Sequence, residues 1–488
     1  MILADFGAEV NGLLSGLGIY DTHIVKALPA APVTDLNAVE QVLSLKPLLT
    51  NEELDRFYRP EINEVRGEDT TVALAGKYRQ AFGAVPYKTF VMGHPGVGKS
   101  TEIARLLRAL ADQYRGIRIS VATELNPASF KIFDVLLLMM IKIAEETKAR
   151  LDVGLLDSAI AQRLLDDILV YFADQKITDT RIRGLDFQAG GGVKTESFWT
   201  KILPVFASVK GEIRIAADRK QETVEYRLRR LPDLTELANR LVGFCADSLQ
   251  NVEGKEWLFV LEDFDRYGIS GEQLQEVFVR YGSVLRDLRA NMLFVIPVWM
   301  AYSQEATQLP FSKALIPDTP VYDRFHADHR QGREAVRAVL FARVSSGIMD
   351  AGQAERLIVA SGGNLRDLFF MGSSAAQYAL QSEEAGRSIA ERDGTRAIYT
   401  MRREYRNRLG ESPHDPKPVH WEEKARKLVA VYHNEPGSDI PDPVLYSLLR
   451  ARALQEFNDE GWFGVHPLVV DILKEQRRLP EDAPGGSR

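Results

Sequence analysis

The sequence predicts an α/β protein whose core is a parallel β-sheet covered by helices on both faces. Four segments have the length and side-chain pattern of strands, at residues 87–92, 117–121, 257–261 and 292–296. Two segments with the apolar spacing of helices lie between the first and third of these, at residues 101–107 and 130–148. Strands that alternate with helices along a chain are typical of a parallel sheet covered on both faces.

The segment after the first strand predicts nucleotide binding. Residues 93–100 read GHPGVGKS and fit the pattern G-x-x-x-x-G-K-[ST] of a phosphate-binding loop. Such glycines let successive backbone N–H groups point at a polyphosphate, at the positive end of the next helix. Lys99 would reach the β- and γ-phosphates, and the Ser100 hydroxyl would ligate Mg²⁺. The predicted nucleotide-binding residues are Gly93, His94, Pro95 (which has no N–H to donate), Gly96, Val97, Gly98, Lys99, Ser100 and Thr101.

The strand at residues 257–261 is followed by acidic residues, in the run EDFDR at 262–266. Metal-assisted phosphoryl transfer needs one carboxylate near Mg²⁺ and another that positions the attacking water. Side chains alternate across a strand, so Glu262 and Asp263 face opposite sides if the strand continues through both. We place Glu262 as the Mg²⁺ ligand and Asp263 as the water-activating residue, with a one-residue slip as the alternative.

Composition predicts a cytoplasmic protein of two to four domains. The chain has 488 residues, 45% of them hydrophobic, which is enough for several cores. The single cysteine, Cys245, excludes an intramolecular disulfide and is expected in the core. The N-terminal residues lack the basic region of a signal peptide, and no apolar run is long enough to span a membrane. A net charge of −7 argues against a protein that coats nucleic acid.

Taken together, the phosphate-binding loop, the acidic strand and the run GGNLRDL at residues 362–368 resemble the AAA+ and STAND ATPases, especially their bacterial and origin-recognition-like branches. The resemblance implies a P-loop NTPase with a parallel sheet core, a helical lid and a C-terminal winged helix, binding ATP and Mg²⁺. It also implies that Arg366, on the lid, contacts the γ-phosphate. A capped helix that carries a solvated Arg366–Asp367 pair is the alternative. The chain departs from the family at Glu262-Asp263, where Asp-Glu or Asp-Asp is more common, so hydrolysis is less firmly implied than binding.

The predicted domains are a helical lead-in (1–80), the ATPase core (81–315) with an insertion at about 150–235, a helical lid (316–410) and a winged-helix-like domain (415–488). Within the insertion, residues 212–215 and 223–229 alternate and predict a hairpin. In the last domain we expect helices at 421–432 and 444–457.

Nucleic-acid contact is left open at two places. Arg450 and Arg452 lie on the second helix expected in the winged helix, which reads DNA in some modules of that kind and docks proteins in others. The segment 396–408 interleaves arginines with tyrosines, as nucleic-acid-binding segments do, although a solvated amphipathic helix has the same pattern. His466, next to Pro467, is expected to be a packing residue.

The function predicted is an ATP-driven molecular switch that binds and hydrolyses ATP and drives assembly or partner engagement. Its partners would be further copies of the chain or an effector protein, without membrane association, and an arginine at 280, 286 or 289 could act on a neighbouring subunit. The resemblance adds DNA transactions or defence against invading DNA as settings. The alternatives are a DNA-binding regulator or loader stabilised by ATP, and a nucleotide-binding scaffold that scarcely hydrolyses.

Overall fold

The structure, a computed structural model, describes residues 31–480 except 152–157, 174–194, 216–220, 267, 382–387, 413, 414, 416 and 458–460. A five-stranded parallel sheet with strand order β2-β3-β4-β1-β5 forms its core. The strands are β1 (Lys88–Gly93), β2 (Tyr114–Ser120), β3 (Glu256–Glu262), β4 (Asn291–Pro297) and β5 (Ser312–Leu315). This arrangement confirms the predicted α/β class and its parallel sheet.

Alternation within the central strands divides the core into two layers. Val91, Val260 and Val295 face one layer, while Phe90 and Phe294 face the other. Both faces are buried, so β1, β3 and β4 are nearly continuous apolar runs, as parallel strands require. Parallel strands share one carboxyl edge, and the loops after β1 and β3 therefore emerge on the same side of the sheet.

The lead-in is helical where the structure describes it, and it packs on the helix that follows β1. Its helices are α1 (Val39–Val42), α2 (Asn51–Phe57), α3 (Glu61–Glu64) and α4 (Thr70–Ala81), and the helix after β1 is α5 (Lys99–Ala109). The buried Glu102 carboxylate of α5 accepts hydrogen bonds from Tyr58, Asn63 and Thr71. Because these bonds cross from one segment to the other, the lead-in and the loop helix are held as one unit.

Between β2 and β3 the described residues form helices joined by loops, which corrects the predicted hairpin. These are α6 (Val121–Glu124), α7 (Ile132–Arg150), α8 (Ser158–Ala173), α9 (Thr195–Ile215), α10 (Gln221–Arg229) and α11 (Leu231–Glu253). Residues 212–215 and 223–229 were predicted as strands but lie in α9 and α10. Alternation over only four to seven residues was too short a pattern to distinguish a strand from a helix. Over the whole of α9 the buried residues include 202, 205, 206, 209 and 213, which is a helical spacing. Cys245 is buried in this layer, as expected.

Downstream of β3, short helices α12 (Gly271–Gln275) and α13 (Gly282–Asp287) lead to β4. After β5, the region predicted as a lid holds α14 (Arg330–Phe341), α15 (Gln353–Ala360), α16 (Leu365–Leu380) and α17 (Glu391–Arg408). Asn364 caps α16, since its side chain accepts from the backbone N–H groups of Arg366 and Asp367. The N-terminus of α16 is therefore fixed in place.

The last part of the chain contains helices and a small antiparallel hairpin. Its elements are α18 (Trp421–Tyr432), α19 (Pro443–Ala451), β6 (Leu454–Phe457), β7 (Trp462–Val465) and α20 (Pro467–Glu475). The helix predicted over 444–457 is wrong in its second half, because Arg452 has a φ of 61° and ends α19. Residues 454–457 instead pair with residues 462–465. None of the helices in the described residues is long and apolar enough to cross a membrane.

Candidate nucleotide site

The phosphate-binding loop has the backbone that its sequence predicts. Gly96 and Gly98 have φ values of 98° and 102°, in the left-handed region that favours glycine. Helix α5 begins at Lys99, directly after Gly98. The first N–H groups of α5 have no partner within the helix and carry its positive dipole end, so they suit a phosphate.

Lys99 is held inward by three oxygen atoms. Its Nζ donates to the carbonyl oxygens of Gly93 and His94, at 2.9 and 3.0 Å, and lies 2.7 Å from Oδ2 of Asp265. The ammonium group therefore already has an anionic partner, which comes from the acidic run after β3. Sequence analysis had not assigned a role to Asp265, although it lies within the same run.

The last residue of β3 is Glu262, which is almost completely buried beside the loop. The Ser100 hydroxyl is close enough to its carboxylate to stabilise the ionised form, so the two predicted metal ligands lie near each other. Arg118, on the neighbouring strand, donates from Nε and Nη2 to Oε1 of Glu262, at 2.7 and 2.6 Å. Burial raises the pKa of Glu262, and the Arg118 guanidinium and the Ser100 hydroxyl oppose this by stabilising the ionised form.

Asp263 lies outside β3, which ends at Glu262. The strand therefore does not continue through both acidic residues, the condition on which the sequence analysis based their facing opposite sides. The φ of 70° at Asp263 turns the backbone, so the alternation of side chains stops at Glu262. The Asp263 carboxylate accepts from Ser120 Oγ at 2.5 Å and from Arg266 Nε at 2.8 Å. Burial alone would raise the pKa of Asp263, but these two hydrogen bonds outweigh it and leave the pKa below its usual value.

The region predicted as a lid contacts the loop directly. Asn364, besides capping α16, donates from Nδ2 to the Pro95 carbonyl at 3.0 Å. A Cβ added to Gly96 would lie 2.7 Å from Cβ of Arg366, so glycine is also required for this close approach. Arg366 lies at the first turn of α16 and lines the same cavity as the loop. Burial lowers its pKa, and the nearby guanidinium groups of Arg452 and Arg266 lower it further.

A cavity of about 600 Å³ connects these groups, a volume within the range of small-molecule sites. Most of the predicted site residues line it, whereas Gly93 and Glu262 lie behind the lining. One part of its wall is mainly apolar, and another part is acidic and basic. The apolar wall includes Leu48, Phe57, Ile62, Val339, Leu365 and Phe369, with Arg343 over the rings of Phe57 and Phe369; the polar wall includes Asp263, Asp265, Arg266, Arg366 and Arg450. A flat apolar base would fit the first wall and a polyphosphate the second.

The C-terminal region closes the cavity and turns its two candidate DNA-binding arginines inward. Arg452 is buried and forms an ion pair with Asp367, which also accepts from Tyr405 Oη at 2.7 Å. Arg450 lines the cavity, with its guanidinium carbon 5.2 Å from the centre of the Trp299 ring. Arg452 is buried in this arrangement, which argues against DNA contact through its side chain, whereas 22% of the Arg450 side chain is exposed and its part in DNA contact stays a prediction.

His466 and the basic helix α17 also have internal roles. The His466 ring stacks on Tyr405 with centroids 4.2 Å apart, and burial lowers its pKa to about 3, so it is a packing residue as expected. On α17, Arg402 donates to Asp471 and Glu475, at 2.8 and 2.6 Å, and Arg406 pairs with Glu475 too. These pairs neutralise part of the basic segment, which favours the solvated-helix interpretation over nucleic-acid contact.

The residues present fit a Mg²⁺ ion that arrives with a nucleotide better than a resident metal ion. Within the described ranges, no group of three or more His, Cys, Asp or Glu side chains is arranged to hold a metal ion. Mg²⁺ is commonly bound through one or two protein oxygens together with substrate phosphates. Ser100 and Glu262 could supply those protein oxygens.

The five-stranded parallel sheet defines an α/β fold, which together with the phosphate-binding loop after β1 is consistent with a P-loop NTPase. Neither the protein-family comparison nor the comparison with curated proteins found a match. Among solved structures, a Walker-type ATPase of Pyrococcus abyssi is similar, with 13% sequence identity, 89% of this chain and 99% of that chain covered, and a TM-score of 0.39. A similarity at this level does not show what the present chain binds or does.

Proposed function

We propose that this protein binds ATP with Mg²⁺ and acts as a molecular switch, in which the lid and the C-terminal region respond to the nucleotide and control assembly or partner engagement. One observation carries the proposal. The phosphate-binding loop, the acidic run, the lid residue Arg366 and Arg450 of the C-terminal region all line one cavity. A ligand bound there would touch elements from three separate parts of the chain, and its presence would therefore affect how they pack.

The contacts assign a role to each group around the ligand. The N–H groups at the start of α5 and the Lys99 ammonium would bind the phosphates, with Arg366 at the terminal one. Ser100 and Glu262 would hold Mg²⁺, which neutralises phosphate charge when bound. The apolar wall, with Phe57 and Phe369, would take the base. No guanine-reading Asn-Lys-x-Asp motif occurs in the sequence, which favours ATP over GTP.

Hydrolysis requires a group that orients water, and Asp263 is the candidate. Its carboxylate lines the cavity but is engaged by Ser120 and Arg266. Because these partners hold the pKa of Asp263 below its usual value and so weaken it as a base, we expect slow basal turnover. The same observation favours the second candidate function, a scaffold that binds ATP and scarcely hydrolyses it.

Phosphate release from wild type and Asp263→Asn distinguishes the two functions. A fall of about tenfold or more, with ATP affinity retained, is expected for an ATPase that uses Asp263, as loss of a general base has effects of this order or larger. Unchanged phosphate release would favour the scaffold. Lys99→Ala serves as the control that removes binding.

The assembly part of the proposal is tested by size-exclusion chromatography with light scattering. Wild type and Lys99→Ala are compared with and without ATP and Mg²⁺, and again with duplex DNA. A change in mass that requires ATP and disappears in Lys99→Ala is expected. A monomer under every condition would contradict the assembly model, and a DNA-dependent mass with either protein would favour the DNA-binding alternative.

A further inference from the structure

Asp265 has a position that neither metal binding nor water activation explains. It lies in the turn after β3, lines the cavity, and places Oδ2 at 2.7 Å from Lys99 Nζ. The two side chains are only 11% and 6% exposed. An ion pair with so little access to water is weakly screened by solvent and salt. Removing either partner would leave the other charge buried and uncompensated, at a large cost in free energy.

Two further cations interact with the same carboxylate. Asp265 acts to raise the pKa of both Arg266 and Arg366, which are on the polar wall of the cavity. These arginines and Lys99 are cationic groups that line the cavity expected to take the phosphates, and Arg266 also pairs with Asp263 at 2.8 Å. Asp265 therefore offsets part of the positive charge that a polyphosphate would otherwise offset, chiefly that of Lys99.

We propose, building on the proposed function, that Asp265 is an internal substitute for phosphate: it holds Lys99 while no polyphosphate is bound and must release it when one binds. Binding then exchanges one anionic partner of Lys99 for another. The carboxylate stays in the cavity after the exchange and repels the added charge. Asp265 thus keeps nucleotide affinity below what the loop alone would provide.

Direct titration tests this inference in the full-length protein. Wild type, Asp265→Asn and Asp263→Asn are titrated with ATP and with inorganic pyrophosphate in EDTA, so that no metal ion contributes. Asp265→Asn is expected to bind both about tenfold more tightly than wild type, in the range typical of coupling between sites. Asp263→Asn is the matched control: it removes the same charge from the same cavity, but its carboxylate is bonded to Ser120 and Arg266, and a change below about threefold is expected.

Thermal unfolding adds a readout that a purely structural role would not produce. Without ligand, Asp265→Asn leaves the buried Lys99 without its counter-ion, so we expect a lower Tm than in wild type. Saturating pyrophosphate should raise the Tm of the variant more than that of wild type, because the ligand restores the missing negative charge. In a Lys99→Ala background, where no ammonium group needs a counter-ion, Asp265→Asn should no longer lower the Tm.

The outcomes separate this inference from the proposed function. Wild type that binds neither ATP nor pyrophosphate, even with Mg²⁺ added, contradicts the proposed function itself. Wild type that binds ATP, together with an Asp265→Asn variant that binds equally or more weakly, overturns only the role given to Asp265. An equal gain in Asp263→Asn would also overturn it, since general charge removal would then account for the effect.

Discussion

Replacing Gly96 by alanine is expected to weaken the contact between the phosphate-binding loop and the lid. The added Cβ would lie 2.2 Å from Oδ1 of Asn364 and 2.7 Å from Cβ of Arg366. The Asn364 amide can rotate, but the Arg366 Cβ moves only if helix α16 moves. Gly98→Ala is the matched control, because its φ of 102° is similar and a Cβ there meets nothing within 4 Å.

The magnitude follows from the difference between the two variants. Both place an L-residue in the left-handed region, at a cost of about 1–2 kcal/mol. Only Gly96→Ala also forces overpacking, which typically costs about 1–3 kcal/mol more. We therefore expect Gly96→Ala to unfold several degrees below Gly98→Ala, given roughly 2–4 °C per kcal/mol for domains of moderate size.

Two assays without nucleotide check this reasoning. Differential scanning fluorimetry gives the difference in Tm, and hydrogen exchange follows the N–H groups of Arg366 and Asp367, which Asn364 caps. Displacement of Asn364 should make these N–H groups exchange faster in Gly96→Ala alone. Equal Tm values and unchanged exchange in both variants would refute the idea that the lid rests on the loop.

Two further predictions concern the contact with the C-terminal region. Arg452→Met should lower the free energy of unfolding by about 3–5 kcal/mol, because Asp367 would remain buried without its cation. Thermal unfolding measures this loss. Recovery of stability in Arg452→Met/Asp367→Leu would identify the unpaired buried carboxylate as the cause. Burial raises the pKa of Asp318 from 3.8 to about 6. Between these pH values the folded state binds a proton that the unfolded state has released. The free energy of unfolding therefore falls as the pH rises through that interval. Asp318→Asn, which removes this charge, should therefore gain Tm relative to wild type at pH 7.5 but not at pH 4; an equal shift at both pH values would contradict the assignment.

Local sequence was sufficient to predict the strands β1 to β4 and the loop, whereas the edge strand β5 was not predicted. The apolar runs of β1, β3 and β4 each needed only their own residues to indicate buried strands. The loop was predictable for the same reason, since Gly96, Gly98 and Lys99 act through the backbone and side chains of one short segment. Prediction failed where short windows were used: residues 223–229 alternate like a strand, yet they belong to a helix that packs within the insertion.

Contacts between segments far apart in the sequence could not be predicted from local patterns. Asp265 was visible as an acid, but its pairing with Lys99 depends on how the turn after β3 bends, and the left-handed φ of Asp263 controls that bend. Arg452 was placed on a helix for which DNA reading and protein docking were both left open, whereas its partner Asp367 lies 85 residues earlier and draws it inward. Such pairings reflect burial and charge balance in three dimensions, which no local pattern records.

The sequence by itself predicted the α/β class of this protein and its phosphate-binding loop, because glycine conformations, a lysine and a helix start are local properties. Tertiary structure alone decided which groups surround that loop. It brought the region predicted as a lid and the C-terminal region to one cavity with the loop, placed Glu262 near Ser100, and gave Lys99 the Asp265 carboxylate as its partner. The physical reason is that buried charges must be compensated, and the compensating groups come from whichever segments the fold brings together.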